Sequence, residues 1–462
     1  MNISDLQNKT IGILGFGQEG DSIAKFLTAH AFSPKVFDKQ TKDQLPDQYK
    51  TQLENLKLDY FSDEDYLSKA LTECEIVFRS PGVKLSAENL ELAKQNNVTI
   101  TSQAEWFFDN CPAKIIGITG TKGKGTTSSL IYEIIKSSSL PEQVFLTGNI
   151  GKIQPFEILQ QLTERDIVVY EMSSFQLEFL KKSPYIGVCL MVTEDHLDYH
   201  GTTQDYAAAK GAISKYQTAS DFCIYNIDYE NSKMIGEFGD GKKYQITAAN
   251  NELTNGTKIT DEAIEFYENS KQISRIDCSQ RMLRGKHNLE NIAAAAQVAK
   301  ILNISDEIIS KSIAEFKGLE HRLQFVGEHG NVKYYNDSIS TIPETTIAAL
   351  KSFSEPIVLL LGGATKNLDY SELESYLQKL NNLKAVVCLG QTGTDIYKHL
   401  SETSIANKVS GPFSNFSEAV NKTIEIAEAG DVVLLSPAAT SFDMFRNYKE
   451  RGEEFVKIIS AL

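Results

Sequence analysis

Residues 120–126 combine glycine, threonine and lysine in the manner of a loop that binds phosphate. They read Gly-Thr-Lys-Gly-Lys-Gly-Thr, with a strand predicted over residues 114–118 and a helix over residues 127–136. Backbone N–H groups of such a turn point at phosphate oxygens, and Lys124 adds a positive charge for the outer phosphates. Ser or Thr usually follows that lysine, whereas Gly125 stands here, so we expect Thr126 to supply the hydroxyl that binds Mg²⁺. The nucleotide-binding residues predicted are Gly120, Thr121, Lys122, Gly123, Lys124, Gly125, Thr126 and Thr127.

A second glycine turn, residues 15–20, lies between a strand predicted over residues 10–14 and a helix predicted over residues 21–29. Asp38 follows the next predicted strand, residues 35–37, where an acid can bind a ribose. By itself this pattern fits NAD as well as other nucleotides, and such turns also occur where glycine is needed only for packing. It predicts a phosphate or nucleotide group at a helix N-terminus.

Composition narrows the class of protein. A chain of 462 residues is too long for one core, so roughly two to four domains are expected. The formal net charge of -15 argues against a nucleic acid or an acidic membrane as partner. The six cysteines show no metal-binding spacing and suit a reducing compartment. With no signal sequence and no apolar run of about 18 residues, we expect a cytoplasmic protein.

Short apolar strands alternate with amphipathic helices along the whole chain, which predicts three consecutive α/β domains. We place a Rossmann-like domain at residues 1–111, a central P-loop domain at 112–318 and a doubly wound domain at 319–462. Further strands are predicted at 76–78, 167–170, 187–192, 332–335, 357–361, 385–389 and 432–435, and a helix at 288–302. Residues 221–280, rich in hairpin signals, are expected to decorate the central domain.

Polar segments follow several of these strands in an order that resembles the Mur ligase superfamily. They are residues 171–178, 193–198, 284–288, 320–322, 335–338 and 435–438, and with the glycine turns they span the chain. The branch most similar adds glutamate to UDP-N-acetylmuramoyl-L-alanine in peptidoglycan precursor synthesis. The resemblance implies an ATP- and Mg²⁺-dependent ligase that forms an acyl phosphate on the substrate carboxylate, with D-glutamate as the expected amino acid and a monomer as the expected state.

The resemblance also assigns roles to single residues. The expected catalytic residues are Lys124, His196 and Lys210, and the expected metal ligands are Thr126, Glu171, His196 and Lys210. Lys210 matches a lysine that the family carbamylates. ATP is expected to contact Asn288 and Asn291 through adenine, Arg322 through phosphate and Asp337 through ribose, with closure about a hinge near Gly318. From the residues alone, Asp337 could equally cap a turn.

The substrate residues follow in the same way. The uridine diphosphate side is assigned to Gln18, Glu19, Asp38 and Ser80, and the muramoyl-alanine part to Asn149, Ser173 and Gln176. The glutamate pocket is assigned to Thr341, Lys366, Ser441 and Tyr448. This sequence departs from the branch at Ile339, where lysine is common, and at Tyr448, where phenylalanine is common.

Four other functions compete with this prediction. Residues 338–341, 362–369 and 441–443, with residues 78–82, also resemble a related branch that adds L-glutamate. The phosphate loop resembles that of folylpolyglutamate synthase, although that enzyme lacks the N-terminal glycine turn. A non-catalytic nucleotide-binding subunit of an amidotransferase would not need Lys124, Glu171, His196 and Lys210 together. An NAD oxidoreductase would leave residues 117–462 unexplained.

Overall fold

A computed structural model of the chain describes residues 1–140, 142–150, 153–249, 251–365 and 368–462. Its three sheets of mostly parallel strands, flanked by helices, confirm the predicted α/β class. The chain forms two compact units, one of Met1–Asp277 with Glu290–Ser312 and the other of Cys278–Leu289 with Ile313–Leu462. Within the described ranges, no helix is both long and apolar enough to cross a membrane.

The first sheet belongs to the first unit, and all its strands are parallel in the order β3-β2-β1-β4-β5. Its strands are β1 (Ile11–Leu14), β2 (Lys35–Phe37), β3 (Tyr60–Phe61), β4 (Ile76–Arg79) and β5 (Thr99–Thr101). Its helices are α1 (Gln18–Ala29), α2 (Asp47–Leu56), α3 (Tyr66–Glu73), α4 (Ala87–Gln95) and α5 (Gln103–Asn110).

The second sheet also belongs to the first unit and has nine strands in the order β14-β13-β12-β11-β10-β9-β6-β8-β7. The strands are β6 (Lys114–Thr119), β7 (Val144–Gly148), β8 (Ile167–Glu171), β9 (Ile186–Cys189), β10 (Phe222–Asn226), β11 (Lys242–Thr247), β12 (Gly256–Ile259), β13 (Ala263–Glu268) and β14 (Lys271–Asp277). The helices that follow are α6 (Lys124–Lys136), α7 (Pro155–Ile158), α8 (Ser174–Leu177), α9 (Leu197–His200), α10 (Thr203–Ala209), α11 (Glu230–Gly236), α12 (His287–Ile301) and α13 (Asp306–Glu315). Residues 222–277 extend this sheet through β10 to β14, and β12, β13 and β14 pair antiparallel.

The third sheet lies in the second unit, in the order β15-β16-β20-β17-β18-β19. Its strands are β15 (Gln324–His329), β16 (Val332–Asn336), β17 (Ile357–Gly362), β18 (Leu383–Leu389), β19 (Val409–Phe413) and β20 (Val432–Leu435). Only β15 pairs antiparallel. The helices are α14 (Pro343–Leu350), α15 (Ser371–Lys379), α16 (Gly390–Leu400), α17 (Phe416–Ile426) and α18 (Tyr448–Ile459).

Two predicted helix starts are wrong in the same direction. α1 begins at Gln18 rather than at residue 21, and α6 begins at Lys124 rather than at residue 127. Glycine lowers helix propensity, but the first turn of a helix lacks N–H partners in any case, so glycine is tolerated there. The N–H groups of these first turns therefore belong to helix ends, where anions bind.

The apolar run predicts a strand that reaches residue 192, but strand β9 ends at Cys189. Beyond it, the backbone N–H of Leu190 donates to the carbonyl of Thr119 at 2.9 Å, and the N–H of Thr121 donates to the carbonyl of Met191 at 2.7 Å. The apolar residues after β9 thus pack around the phosphate loop instead of continuing the strand.

The first unit has a core that joins its two sheets. Trp106 of α5 is fully buried, with its ring centroid 5.5 Å from that of Phe78 and 6.2 Å from that of Phe26. Phe107 lies 5.7 Å from Tyr170 of the second sheet in an edge-to-face arrangement. Such aromatic pairs contribute about 0.5–1.5 kcal/mol each beyond their buried area. These contacts hold the glycine turn after β1 and the phosphate loop after β6 in one unit.

Replacing Gly123 with alanine is expected to destabilise the protein by about 1–3 kcal/mol. Gly123 has φ 86°, and a Cβ there would lie 2.2 Å from the side-chain oxygen of Asn291. Chemical unfolding of the purified protein measures the effect. The control is Gly17→Ala, since Gly17 has φ -101° and a Cβ there would meet no atom within 4 Å. Equal effects of the two substitutions would contradict the prediction.

Asp337, directly after β16, is expected to make the protein more stable as the pH falls. Burial raises its pKa to about 6, so the folded state binds the proton more tightly than the unfolded chain does. Its contribution to the free energy of unfolding should increase by about 1–3 kcal/mol between pH 7.5 and pH 5. The measurement compares the pH dependence of unfolding in the wild type and in Asp337→Asn. Parallel curves would show that Asp337 does not titrate in this window.

Candidate active site

The phosphate loop between β6 and α6 depends on two glycines. Gly120 has φ 154°, and a Cβ there would lie 2.9 Å from the Cβ of Leu190. Gly123 precedes α6 in the left-handed region and lies against Asn291 of α12. The hydroxyl of Thr127 approaches the same Asn291 oxygen at 3.3 Å. The loop is therefore packed closely between the chain after β9 and α12.

The side chain of Lys124 folds back over this loop. Its Nζ donates to the carbonyl of Gly120 at 2.9 Å and to that of Thr121 at 3.1 Å. Thr126 is buried in the first turn of α6, and Lys122 is exposed. The positive charge of Lys124 is thus held at the loop, where the sequence predicts the outer phosphates of the nucleotide.

Lys210, just after α10, brings a second amine to the same carbonyl. It is buried, and its Nζ lies 3.3 Å from the carbonyl of Gly120 and 3.4 Å from the hydroxyl of Thr119. The amine also lies over the ring of Tyr206, 4.4 Å from its centroid. Burial and then the charge of Lys124 lower the pKa of Lys210 to about 7. Near neutral pH a large fraction of this amine is therefore uncharged.

Two predicted metal ligands belong to the chain at the ends of β8 and β9, the strands that pair with β6 on either side. Glu171 is the buried last residue of β8 and pairs with Ile118 of β6. His196 follows β9 in the left-handed region, with φ 51°, and its Nε2 lies 3.6 Å from the carboxylate of Asp195. Since β8, β6 and β9 are adjacent and parallel, both residues follow the strand ends that flank the phosphate loop.

The donor types of these residues suit Mg²⁺. A hydroxyl from Thr126 and a carboxylate from Glu171 are oxygen ligands, and Mg²⁺ often needs only one or two carboxylates when phosphates complete its shell. The described part of the chain contains no group of three or more His, Cys, Asp or Glu side chains that could hold a metal alone.

The N-terminal glycine turn is closed by two of its predicted ligand residues. The N–H of Phe16 donates to the carboxylate of Asp38 at 2.6 Å, and the hydroxyl of Ser80 donates to the carbonyl of Gly15 at 2.7 Å. Gln18 is exposed at the start of α1. Asp38 and Ser80 thus shape the turn from the ends of β2 and β4.

Glu19 and Gln176 meet between α1 and α8. The Gln176 amide donates to Glu19 Oε1 at 2.6 Å, while its own oxygen accepts the N–H of Ser173 at 2.9 Å. Burial raises the pKa of Glu19 to about 7, and its other oxygen, Oε2, is buried without a hydrogen bond. Asn149 is exposed after β7. Ser173 and Gln176 are therefore hydrogen-bonded to each other. Their contact with substrate stays a prediction.

Arg79, at the end of β4, is a structural residue that the sequence did not single out. It is buried, donates to the carbonyl of Val83 at 2.8 Å and to that of Phe175 at 3.2 Å, and lies 4.3 Å from the ring centroid of Phe179. The Phe175 ring lies 5.1 Å from that of His196. In the sequence, the feature that could have indicated a buried arginine is its position directly after the apolar run 76–78.

In the second unit, Asp337 is held at the carboxyl end of β16. Its Oδ1 accepts the N–H of Leu323 at 3.1 Å and its Oδ2 accepts the hydroxyl of Ser436 at 2.8 Å. Arg322 is exposed, and its charge lowers the pKa of Asp337 against the larger effect of burial. Asn288 is buried and donates to the carbonyl of Arg284 at 2.6 Å.

The glutamate residues predicted for the second unit follow adjacent strands. β16, β20 and β17 are parallel neighbours, and residues 337–341, 436–441 and 363–365 follow their carboxyl ends. Ser441 is buried, and its hydroxyl has no hydrogen-bond partner among the described residues. The carbonyl of Tyr448 accepts the hydroxyl of Ser338 at 2.7 Å. Thr341 is half-buried in the loop after β16, and Lys366 lies outside the described residues.

Comparisons with known families match all three parts of the chain. Residues 9–102 match the Mur ligase MurD-like N-terminal domain, residues 118–299 the Mur ligase middle domain, and residues 321–439 the Mur ligase glutamate ligase domain. A UDP-N-acetylmuramoylalanine–D-glutamate ligase of Acetivibrio thermocellus is 34% identical over 464 residues, covering 99% of this chain and 97% of that protein.

Solved structures agree at the level of the fold. The MurC ligase of Thermotoga maritima has a TM-score of 0.58 at 16% identity and covers 98% of this chain and 100% of that one. The MurF ligase of the same organism, in complex with ADP, has a TM-score of 0.54 at 19% identity and covers 87% of this chain and 93% of that one. Full-length similarity and the three matched domains show that the chain belongs to the Mur ligase family.

Proposed function

We propose that this protein is an ATP-dependent ligase that joins D-glutamate to the carboxylate of UDP-N-acetylmuramoyl-L-alanine. The observation that carries the proposal is the placement of Lys124 and Lys210 on the carbonyl of Gly120. Two amines at a phosphate loop suit a reaction in which negative charge accumulates on phosphate and carboxylate. The name of the relative from Acetivibrio thermocellus supports both substrates.

The reaction has two steps, phosphoryl transfer to the substrate carboxylate and attack of the glutamate amine on the resulting acyl phosphate. The substrate carboxylate attacks the γ-phosphorus of ATP, and the bond from that phosphorus to the β,γ-bridging oxygen breaks. ADP is the leaving group, and an acyl phosphate is formed. The glutamate amine then attacks the acyl carbon, a C–N bond forms, and inorganic phosphate leaves with the amine losing a proton. Lys124 and the N–H groups of the phosphate loop offset the charge of the transferred group.

A Mg²⁺ ion held at this site would supply positive charge that lowers the repulsion between ATP and the attacking carboxylate. Thr126, Glu171 and His196 are the residues that would hold it. Glu171 and His196 follow the strand ends beside the loop, and Thr126 is in the first turn of α6.

We also propose that Lys210 carries a carbamate. The uncharged amine attacks CO₂, a C–N bond forms and one proton leaves to solvent, so Lys210 becomes a carbamate anion beside Lys124. The geometry supports this conversion because a buried ammonium on Lys210 and the half-buried ammonium of Lys124 repel each other around one carbonyl, whereas an ammonium and a carbamate attract. The lowered pKa of Lys210 keeps the amine reactive near neutral pH.

The remaining residue assignments are proposals from the family resemblance. For ATP they are Gly120, Thr121, Lys122, Gly123, Gly125, Thr127, Asn288, Asn291, Arg322 and Asp337. For the nucleotide sugar they are Gln18, Glu19, Asp38, Ser80, Asn149, Ser173 and Gln176, and for glutamate Thr341, Lys366, Ser441 and Tyr448. The domain limits 1–111, 112–318 and 319–462, a monomeric state and a cytoplasmic location complete the proposal.

Phosphate release from ATP should require both UDP-N-acetylmuramoyl-L-alanine and D-glutamate in the presence of Mg²⁺. Parallel reactions contain D-glutamate, L-glutamate or no amino acid, and the product is identified by mass. Turnover with L-glutamate alone would assign the protein to the L-glutamate branch. Turnover with a folate substrate, or none with either isomer, would refute the proposed function.

Lys210→Ala should lose most of this activity. The wild type should also lose activity in CO₂-depleted buffer and regain it with bicarbonate, and NMR of protein treated with isotopically labelled bicarbonate should show a carbamate that the variant lacks. Lys215→Ala is the matched control, because Lys215 is a nearby exposed lysine. Full activity of Lys210→Ala would exclude the proposed role.

A further inference from the structure

Arg451 of α18 is a buried cation whose hydrogen bonds all go to neutral oxygens. It is 1% exposed and among the largest fully buried side chains. Its Nε donates to the hydroxyl of Ser338 at 3.0 Å and one terminal nitrogen to the carbonyl of Ser338 at 2.8 Å. The other terminal nitrogen donates to the carbonyls of Ala439 at 3.1 Å and Thr440 at 3.2 Å. Asp443 acts on it through charge at longer range.

These contacts join the loops that follow three adjacent strands. Ser338 lies in the loop after β16, and Ala439 and Thr440 lie in the loop after β20. The loop after β17 is also close, because a Cβ on Gly363 would come within 3.2 Å of the Arg451 guanidinium. One planar group therefore bonds two of these loops together and lies close to the third.

The same loops carry the residues assigned to glutamate. Thr341 follows Ser338 in the chain, and Ser441 follows Thr440. The hydroxyl of Ser338 accepts from Arg451 and donates to the carbonyl of Tyr448 at 2.7 Å. Ser441 presents a buried hydroxyl that forms no hydrogen bond within the described part of the chain. The guanidinium thus bonds to Thr440, directly before Ser441, and to Ser338, which lies in the same loop as Thr341 and bonds to Tyr448.

Burying a charge without a close counter-ion costs several kcal/mol of folding free energy, so a buried arginine of this kind suggests a functional role. Burial lowers the pKa of Arg451 to about 10, which leaves it charged at neutral pH. Glutamate brings two carboxylates, and a desolvated positive charge behind the loops attracts them more strongly than a hydrated one would.

We propose that Arg451 is a positioning residue for the amino-acid substrate, holding the three pocket loops and supplying positive charge behind them. This inference rests on the proposed function. Arginine suits the task better than lysine, because its planar fork makes several directed hydrogen bonds at once.

The test compares the wild type with Arg451→Lys and Arg451→Gln. Both variants should raise the KM for glutamate about tenfold or more, while the KM for ATP changes less than about twofold. Hydroxylamine needs no glutamate pocket and attacks the acyl phosphate directly, giving a hydroxamate and phosphate. With hydroxylamine in place of glutamate, both variants should form hydroxamate at a rate within about twofold of the wild-type rate.

Two further variants keep the test decisive. Arg446→Ala is the control, since the Arg446 side chain is 86% exposed and pairs with Glu450 at the surface; it should leave all constants unchanged. Ser338→Ala retains Arg451 but removes the hydroxyl between it and Tyr448, so it should show the same selective rise in KM even if the Arg451 variants unfold.

The thermal shift produced by glutamate separates the two hypotheses. A wild type that neither turns over nor gains stability with glutamate would refute the proposed function. If the wild type responds, the role of Arg451 is refuted by an unchanged KM for glutamate in the folded variants. It is equally refuted by parallel losses of ligation and hydroxamate formation, which would indicate general structural damage.

Discussion

Two amines converge on the backbone carbonyl of Gly120, and the chemistry of the first unit depends on how their repulsion is relieved. Lys124 reaches this carbonyl at 2.9 Å from the helix side, and Lys210 at 3.3 Å from the buried side. Two full positive charges this close are unfavourable away from water. Loss of the Lys210 proton relieves the repulsion, and so do bound phosphates. The repulsion between these two amines therefore favours the binding of a negatively charged polyphosphate at the loop.

The geometry that creates this demand comes from backbone close to the loop. Positive φ angles at Gly120 and Gly123 let the chain pass against the residues after β9 and against Asn291. In the other glycine turn, Asp38 and Ser80 bond to the turn itself. Several polar residues near these sites thus shape the backbone, which makes the N–H groups of the turns available in a fixed arrangement before any ligand arrives.

The second unit places buried charges at strand ends in a similar way. Asp337 is satisfied by the N–H of Leu323 and the hydroxyl of Ser436, and Arg451 by one hydroxyl and three carbonyls. Each charge joins loops that follow different strands of one sheet. Because hydrogen bonds to a charged group are stronger than neutral ones, they hold the loops in a defined arrangement at the cost of desolvation.

The sequence by itself determined the α/β class, the strands that position the site and the phosphate loop, because apolar runs and glycine turns are local signals. The family resemblance also singled out Glu171, His196 and Lys210, whose roles in the reaction stay predictions. Tertiary structure alone decided that α1 and α6 begin inside their glycine turns and that β9 ends early. It also decided that Gln176 pairs with Glu19 and that Arg79 and Arg451 are buried. A helical arginine has the same local pattern whether it faces water or three converging loops, since only long-range packing sets its surroundings.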